Sequence, residues 1–105
     1  MPGIDLNYFI RQANKLTEKL ETRKQELAAE TVEARSGDGL VIVTANCAQD
    51  IRSIKIDPKA IDPADPAMLE DLVTAAVNAA LAQSKARMQS ELSKISGGVK
   101  IPGIT

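Results

Sequence analysis

Arg11, Lys15, Lys19 and Arg23 stand four residues apart, so on a helix they line up as a ladder of cations. Glu18 and Glu21 fall on the other flank, and the stretch from Leu6 to Thr17 holds two basic residues and no acid. Lys85, Arg87 and Lys94 add basic charge later in the chain. Two roles suit such a ladder. It can neutralise DNA phosphates, which positions a protein without reading bases. It can equally be the solvated flank of a helix that packs through its neighbouring apolar stripe. No aromatic residues interleave with the cations to stack on single-stranded bases. No zinc-finger or helix-turn-helix pattern is present.

Catalytic chemistry has little to work with. The chain has no histidine, so its one cysteine, Cys47, cannot belong to a Cys-His nucleophile. Glu70 and Asp71 fall in the first turns of a helix, where the dipole favours negative charge. Asp62 and Asp65 suit a turn and a cap. A carboxylate metal site in the Asp57–Pro66 linker is conceivable, but turn and cap duties account for the same residues. Gly37 and Gly39 lack the rest of a phosphate-binding loop. The sequence therefore reads as a non-enzyme without cofactor, metal or small-molecule substrate.

At 105 residues, 44% hydrophobic and 26% charged, the chain reads as one ordinary globular domain, residues 1–105. The formal charge of −1 offers no global attraction to a polyanion, so any nucleic-acid contact must be local. No signal peptide is visible, and the longest uncharged run, Leu72 to Ser84, is too short to span a bilayer. These features point to the cytoplasm, with no membrane partner.

The elements follow from periodicity and breakers. Leu6, Phe9, Ala13, Leu16, Leu20, Arg23 and Leu27 alternate spacings of three and four, which predicts a helix ending near Ala29. Asp5 or Asn7 can cap its start. Three short strands follow: Thr31 to Arg35, Leu40 to Asn46 and Ile51 to Ile56, parted by turns at Ser36–Gly39 and Cys47–Asp50. Asp65-Pro66 then opens a second helix, expected from Ala67 to about Ile95 and stopped by Gly97-Gly98. Residues 96–105 are expected to form a flexible tail. The fold class is α+β: an α-β-β-β-α protomer with an antiparallel three-stranded meander and two long helices.

Length and composition predict a homodimer. The only aromatic residues are Tyr8 and Phe9, so one chain's core must be built from smaller side chains and is thin. A helix of nearly thirty residues is roughly 40 Å long, more than a compact domain of this size can cover. Its apolar band begins at Leu69, Leu72, Val73, Ala76 and Ala80, then shifts to Val77, Leu81, Ser84, Met88, Leu92 and Ile95. The second set is expected to meet a second copy, because two-fold symmetry covers both chains with one surface. The alternative is that the two helices zip together within one chain.

Several stretches resemble the YbaB/EbfC family of nucleoid-associated proteins. They are Gln12-Ala13, Gly39-Leu40-Val41-Ile42-Val43-Thr44-Ala45-Asn46, Ile56-Asp57-Pro58, Met68-Leu69-Glu70-Asp71-Leu72-Val73, Ala75-Ala76-Val77-Asn78-Ala79-Ala80, and the Gly- and Pro-containing end from Gly98 to Gly103. The resemblance spans nearly the whole chain in order. It implies a homodimer with projecting helical arms that binds double-stranded DNA with low sequence selectivity. It further implies a role in nucleoid organisation and gene expression in the bacterial cytoplasm. The residues that would take the DNA contacts are Arg11, Lys15, Lys19, Arg23, Lys85 and Arg87. Cys47 departs from the family, which usually has glycine after the strand asparagine, so the second turn is expected to differ in type. A dimeric scaffold that grips a protein partner, aided by Val99, Ile101 and Ile104 of the tail, is the other reading.

Overall fold

The computed structural model describes residues 5–97. Helix α1 spans Leu6–Ala29, strands β1 Thr31–Ser36, β2 Val41–Asn46 and β3 Ile51–Ile56, and helix α2 Pro66–Ser96. The order α-β-β-β-α is the one expected, and each boundary moves by a residue or two at most. The tail lies outside the described residues.

Local chemistry sets each boundary. Asp5 caps α1, its carboxylate accepting from the Tyr8 N–H at 3.2 Å. Asp65 does the same for α2 with the Met68 N–H at 3.2 Å, and Pro66 follows with its φ already helical. Gly97 ends α2 in the left-handed region at φ 67°, its N–H reaching the Ser93 carbonyl. The first hairpin turns through Gly37, Asp38 and Gly39, all at positive φ. Gly37 is further constrained because a Cβ there would meet the Leu72 side chain at 2.8 Å. The Ser36 hydroxyl donates to the Leu72 carbonyl at 2.6 Å and pins this turn to α2.

The sheet runs in the order β1-β2-β3, antiparallel throughout. Ala34 pairs with Val43 and Val43 with Ile54, so these residues share one face. The first half of α2 lies on that face over β1 and β2. Ala34, Val41, Val43, Ala45, Ala76 and Ala80 form the buried cluster, bordered by Leu69, Leu72, Val73 and Val77. The alanines let the helix approach closely, and each buries little area, so this core is thin.

The molecule is a rod and not the compact body assumed from chain length. It measures 79 × 19 × 16 Å with a radius of gyration of 20.1 Å. A compact chain of this size has a radius of gyration of about 13 Å. The two helices overlap only through their C-terminal halves, which stretches the molecule lengthwise.

Candidate nucleic-acid interface

Helices α1 and α2 meet at a second apolar cluster. Leu20 and Leu27 of α1, Leu92 of α2 and Cys47 of the second turn are buried together, with Val32, Met88 and Ile95 packed around them. Cross-helix pairs run in opposite senses, Arg23 with Glu91 and Glu30 with Arg87, so the helices are antiparallel. Two residues expected at a dimer surface are therefore corrected: Ser84 is 0% and Leu92 2% exposed within a single protomer. Met88 and Ile95 are half-buried against the same cluster, and Val77 against the sheet. Leu81 is half-buried. The second half of α2 did need a cover, and α1 of the same chain supplies most of it.

A hydrogen-bonded latch holds this junction. Asn46, at the end of β2, is 2% exposed. Its Nδ2 donates to the Ala28 carbonyl at 3.0 Å, and its Oδ1 accepts from the N–H groups of Ala48 (3.0 Å) and Asp50 (2.9 Å). The Ser84 hydroxyl donates to the Asn46 carbonyl at 2.7 Å and accepts from the Gln49 N–H at 3.0 Å. The Cys47 N–H reaches back to the Glu30 carbonyl at 3.0 Å. One turn thus fixes the end of α1 and the middle of α2. The positive φ of this turn falls on Gln49, at 67°, and not on Cys47. Cys47 instead buries its side chain in the junction, where desolvation pushes its thiol pKa up. Sequence reasoning missed the latch. The available signal was a polar residue inside an apolar pattern at Asn46 and again at Ser84, affordable in a core only when hydrogen-bonded.

Beside the latch lies a cluster of ion pairs. The Arg23 guanidinium, half-buried in the apolar seam, meets Glu91, Glu30 (2.8 Å) and Glu26 (3.4 Å). Arg87 pairs with Glu30 at 2.8 Å, and Lys94 with Glu91. Lys94 first and Arg23 second hold the Glu91 carboxyl down at about 2. Arg87 and then Arg23 lower that of Glu30. The same contacts raise the Arg23 and Arg87 guanidinium pKa values. These two arginines, both expected at a DNA surface, are occupied in joining α1 to α2.

The other four candidates are placed differently. Arg11, Lys15, Lys19 and Lys85 are exposed, and among the described residues none has an acidic partner within salt-bridge distance. Arg11, Lys15 and Lys19 climb the first half of α1, where every residue from Leu6 to Lys19 is exposed. Each four-residue step rises about 6 Å. That is close to two phosphate steps of about 3.4 Å along one DNA strand. Lys15 and Lys19 also border an open groove between α1 and the end of α2, with Glu18, Thr22, Glu26 and Ile95.

An apolar edge remains uncovered. Ile56, Ile54 and Ile51 pair with Val41, Val43 and Ala45, so they share the α2 side of the sheet. The irregularity between Thr44 and Ala45 keeps Ile51 in phase with the other two. Yet α2 packs chiefly on β1 and β2. Ile51, Ile54 and Ile56 are 37–42% exposed and Ile61 56%. In the linker, Asp57, Asp62 and Asp65 each accept a backbone N–H two or three residues on, at 2.9–3.2 Å, as turn and cap residues do. Among the described residues, no helix is long and apolar enough to cross a membrane.

Known proteins share this sequence and fold. A Myxococcus xanthus nucleoid-associated protein is 75% identical over 105 residues, covering both chains fully. A nucleoid-associated protein of an Anaeromyxobacter species is 50% identical over 101 residues, 96% of this chain and 98% of that one. The crystal structure of an uncharacterized Helicobacter pylori protein superposes with a TM-score of 0.79 at 14% identity, covering 90% of this chain and all of that one, a likeness of fold. The YbaB/EbfC DNA-binding family matches residues 1–99, and the chain belongs to that family.

Proposed function

We propose that this protein is a nucleoid-associated homodimer that binds double-stranded DNA through the exposed first half of α1. The observation that carries the reading is the split among its cations. Arg23 and Arg87 are held by glutamates, while Arg11, Lys15, Lys19 and Lys85 face water with no acidic partner among the described residues. A cation with no protein partner is free to displace the counterions of a phosphate. Contacts to phosphates position a protein without reading bases, so binding through this ladder supports low sequence selectivity. Two copies double the ladder, so a chain with a formal charge of −1 still presents a local basic surface.

The dimer joins through the isoleucine edge of β3. That edge is apolar and left bare by α2, and an isologous contact covers it on both chains at once. In this assembly the protein works by holding DNA, organising the nucleoid in the cytoplasm and thereby affecting gene expression, and it catalyses nothing. Family membership and the names of its relatives support the DNA partner.

The test is binding to several unrelated duplexes of equal length at low salt. The reading expects similar affinities across sequences, and loss of binding on changing Lys15→Glu together with Lys19→Glu. Binding that survives this double change, in a protein that is still folded, would refute it.

A further inference from the structure

The apolar seam of α1 is only half used. Its lower part, Leu20 and Leu27, is buried against Leu92 and Ile95 of α2. Its upper part continues in the same line through Leu16, Ala13, Phe9 and Leu6, and there it is bare: Leu16 is 36%, Phe9 56% and Leu6 69% exposed. The make-up of this half-seam says what fits it. Its spacings of three and four are those of a helix that packs on another helix. At about 100° per residue, Arg11 and Lys15 fall on the side of α1 away from the seam. The seam is flanked instead by Gln12 and Lys19 on one side and by Ile10 and Asn14 on the other. An apolar line with its cations turned away suits a second helix better than an anionic surface.

We propose that this half-seam docks on the same half-seam of a second copy, antiparallel, in a contact separate from the β3 edge. Complementarity of size and of charge carries the proposal. Set Leu6 against Leu16 of the second copy, and Phe9 falls against Ala13 of that copy. The two-fold repeats both pairs, so the one large ring meets the one small side chain at each inner layer. In the same register the flanks bring Asp5 opposite Lys19 of the second copy, again twice, with Gln12 facing Gln12 between them. Asp5 spends one carboxylate oxygen on the Tyr8 N–H at 3.2 Å, which leaves the other for the ammonium. A parallel pairing in register would instead stack Phe9 on Phe9 and leave Ala13 facing Ala13. The contact from Leu6 to Leu16 is roughly 15 Å long, and so small an interface belongs to the weak, transient class. Arg11 and Lys15 stay on the outer sides of the paired arms. Combined with the β3 contact, arm pairing links dimers to one another, but the pairing itself depends neither on β3 nor on DNA.

Two measurements on the full-length chain, without DNA, test it. The first is sedimentation of the native chain and of Ile54→Asp, whose β3 edge is disabled. In both, the weight-average mass should rise between about 10 µM and about 500 µM, as a weak contact requires. Phe9→Asp should abolish the rise in both and leave circular dichroism unchanged, because Phe9 is exposed in the protomer. A mass that does not rise with concentration, or a rise that survives Phe9→Asp, overturns the proposal. Failure of the β3 contact alone shows separately, as equal masses of the two proteins at the low concentration. The second measurement reads direction. In a Cys47→Ala background, isotope-labelled Leu6→Cys chains are mixed with unlabelled Leu16→Cys chains at high concentration. Mild oxidation should give the mixed disulfide in excess over disulfides between like chains. An excess of like-chain disulfides would mean parallel arms, and no crosslink would mean no arm contact; both results overturn the proposal.

Discussion

Replacing Asn46 by alanine tests whether the latch holds the two helices in place. The side chain is 2% exposed and serves the Ala28 carbonyl and the N–H groups of Ala48 and Asp50. Ala48 and Asp50 are exposed residues, so their amides can turn to water and lose only the net value of a hydrogen bond, about 1 kcal/mol each. The Ala28 carbonyl is less exposed and its loss costs about 1–3 kcal/mol. The expected destabilisation is therefore about 3–5 kcal/mol. In urea, with the slope unchanged, it lowers the midpoint by about 1–2 M or more for a chain of this size. Protein concentration must be held fixed, because the apparent stability of the proposed dimer would depend on it. Asn46→Asp sharpens the test. It keeps an acceptor for the two amides but turns a carboxylate toward the Ala28 carbonyl and the Asp50 carboxylate. That carboxylate is disfavoured in the folded state, so its folded pKa is raised and the damage is present at neutral pH. It should shrink as pH falls through that raised value. A loss below about 1 kcal/mol for alanine, or an aspartate variant indifferent to pH, would refute the latch.

Three further outcomes follow from the same geometry. Leu27→Ala empties a fully buried site between α1, α2 and Cys47, and should cost about 2–5 kcal/mol by chemical denaturation; a surface-like cost would mean the helices do not depend on this contact. The Glu91 carboxyl lies well below its ordinary value, so its contribution is present above about pH 4.5 and lost as pH falls toward 2. Urea midpoints measured across that window should fall for the native chain and flatten for Glu91→Gln, and identical curves would contradict the ion-pair account. Ile54→Asp alters a residue that is already 42% exposed in the protomer, so it should give a helical monomer by sedimentation and circular dichroism. A dimer that persists at micromolar concentration would remove β3 from the interface.

The elements were legible from sequence because their signals are local. Three-four spacing marked both helices, alternation marked β1 and β3, β-branched residues marked β2, and Asp65-Pro66 and Gly97 marked the two ends of α2. Which apolar surface meets which was not legible. The stripe through Leu81, Met88 and Leu92 reads the same whether α1 or a second copy covers it, and periodicity carries no information on partner choice. Ser84 looked like a small interface residue because its bond to Asn46 joins positions 38 apart in the chain. Arg23 counted equally as a seam residue and as a rung of the basic ladder, and only the placement of Glu30 and Glu91 decides between them. The exposed isoleucines of β3 were hidden for a related reason. Alternation gives the face of a strand but not how far across the sheet a helix reaches.

The central claim is that the unpaired cations of the arm, and not the paired arginines, neutralise DNA phosphates. The salt dependence of duplex affinity measures this directly. If Arg11, Lys15, Lys19 and Lys85 all engage in both copies, the log-log slope approaches about −7, at roughly −0.9 per phosphate. Lys15→Gln with Lys19→Gln removes four cations per dimer and should make the slope shallower by about 3–4. Arg87→Gln should leave it unchanged. A slope that ignores the lysine pair and responds to Arg87 would contradict the account.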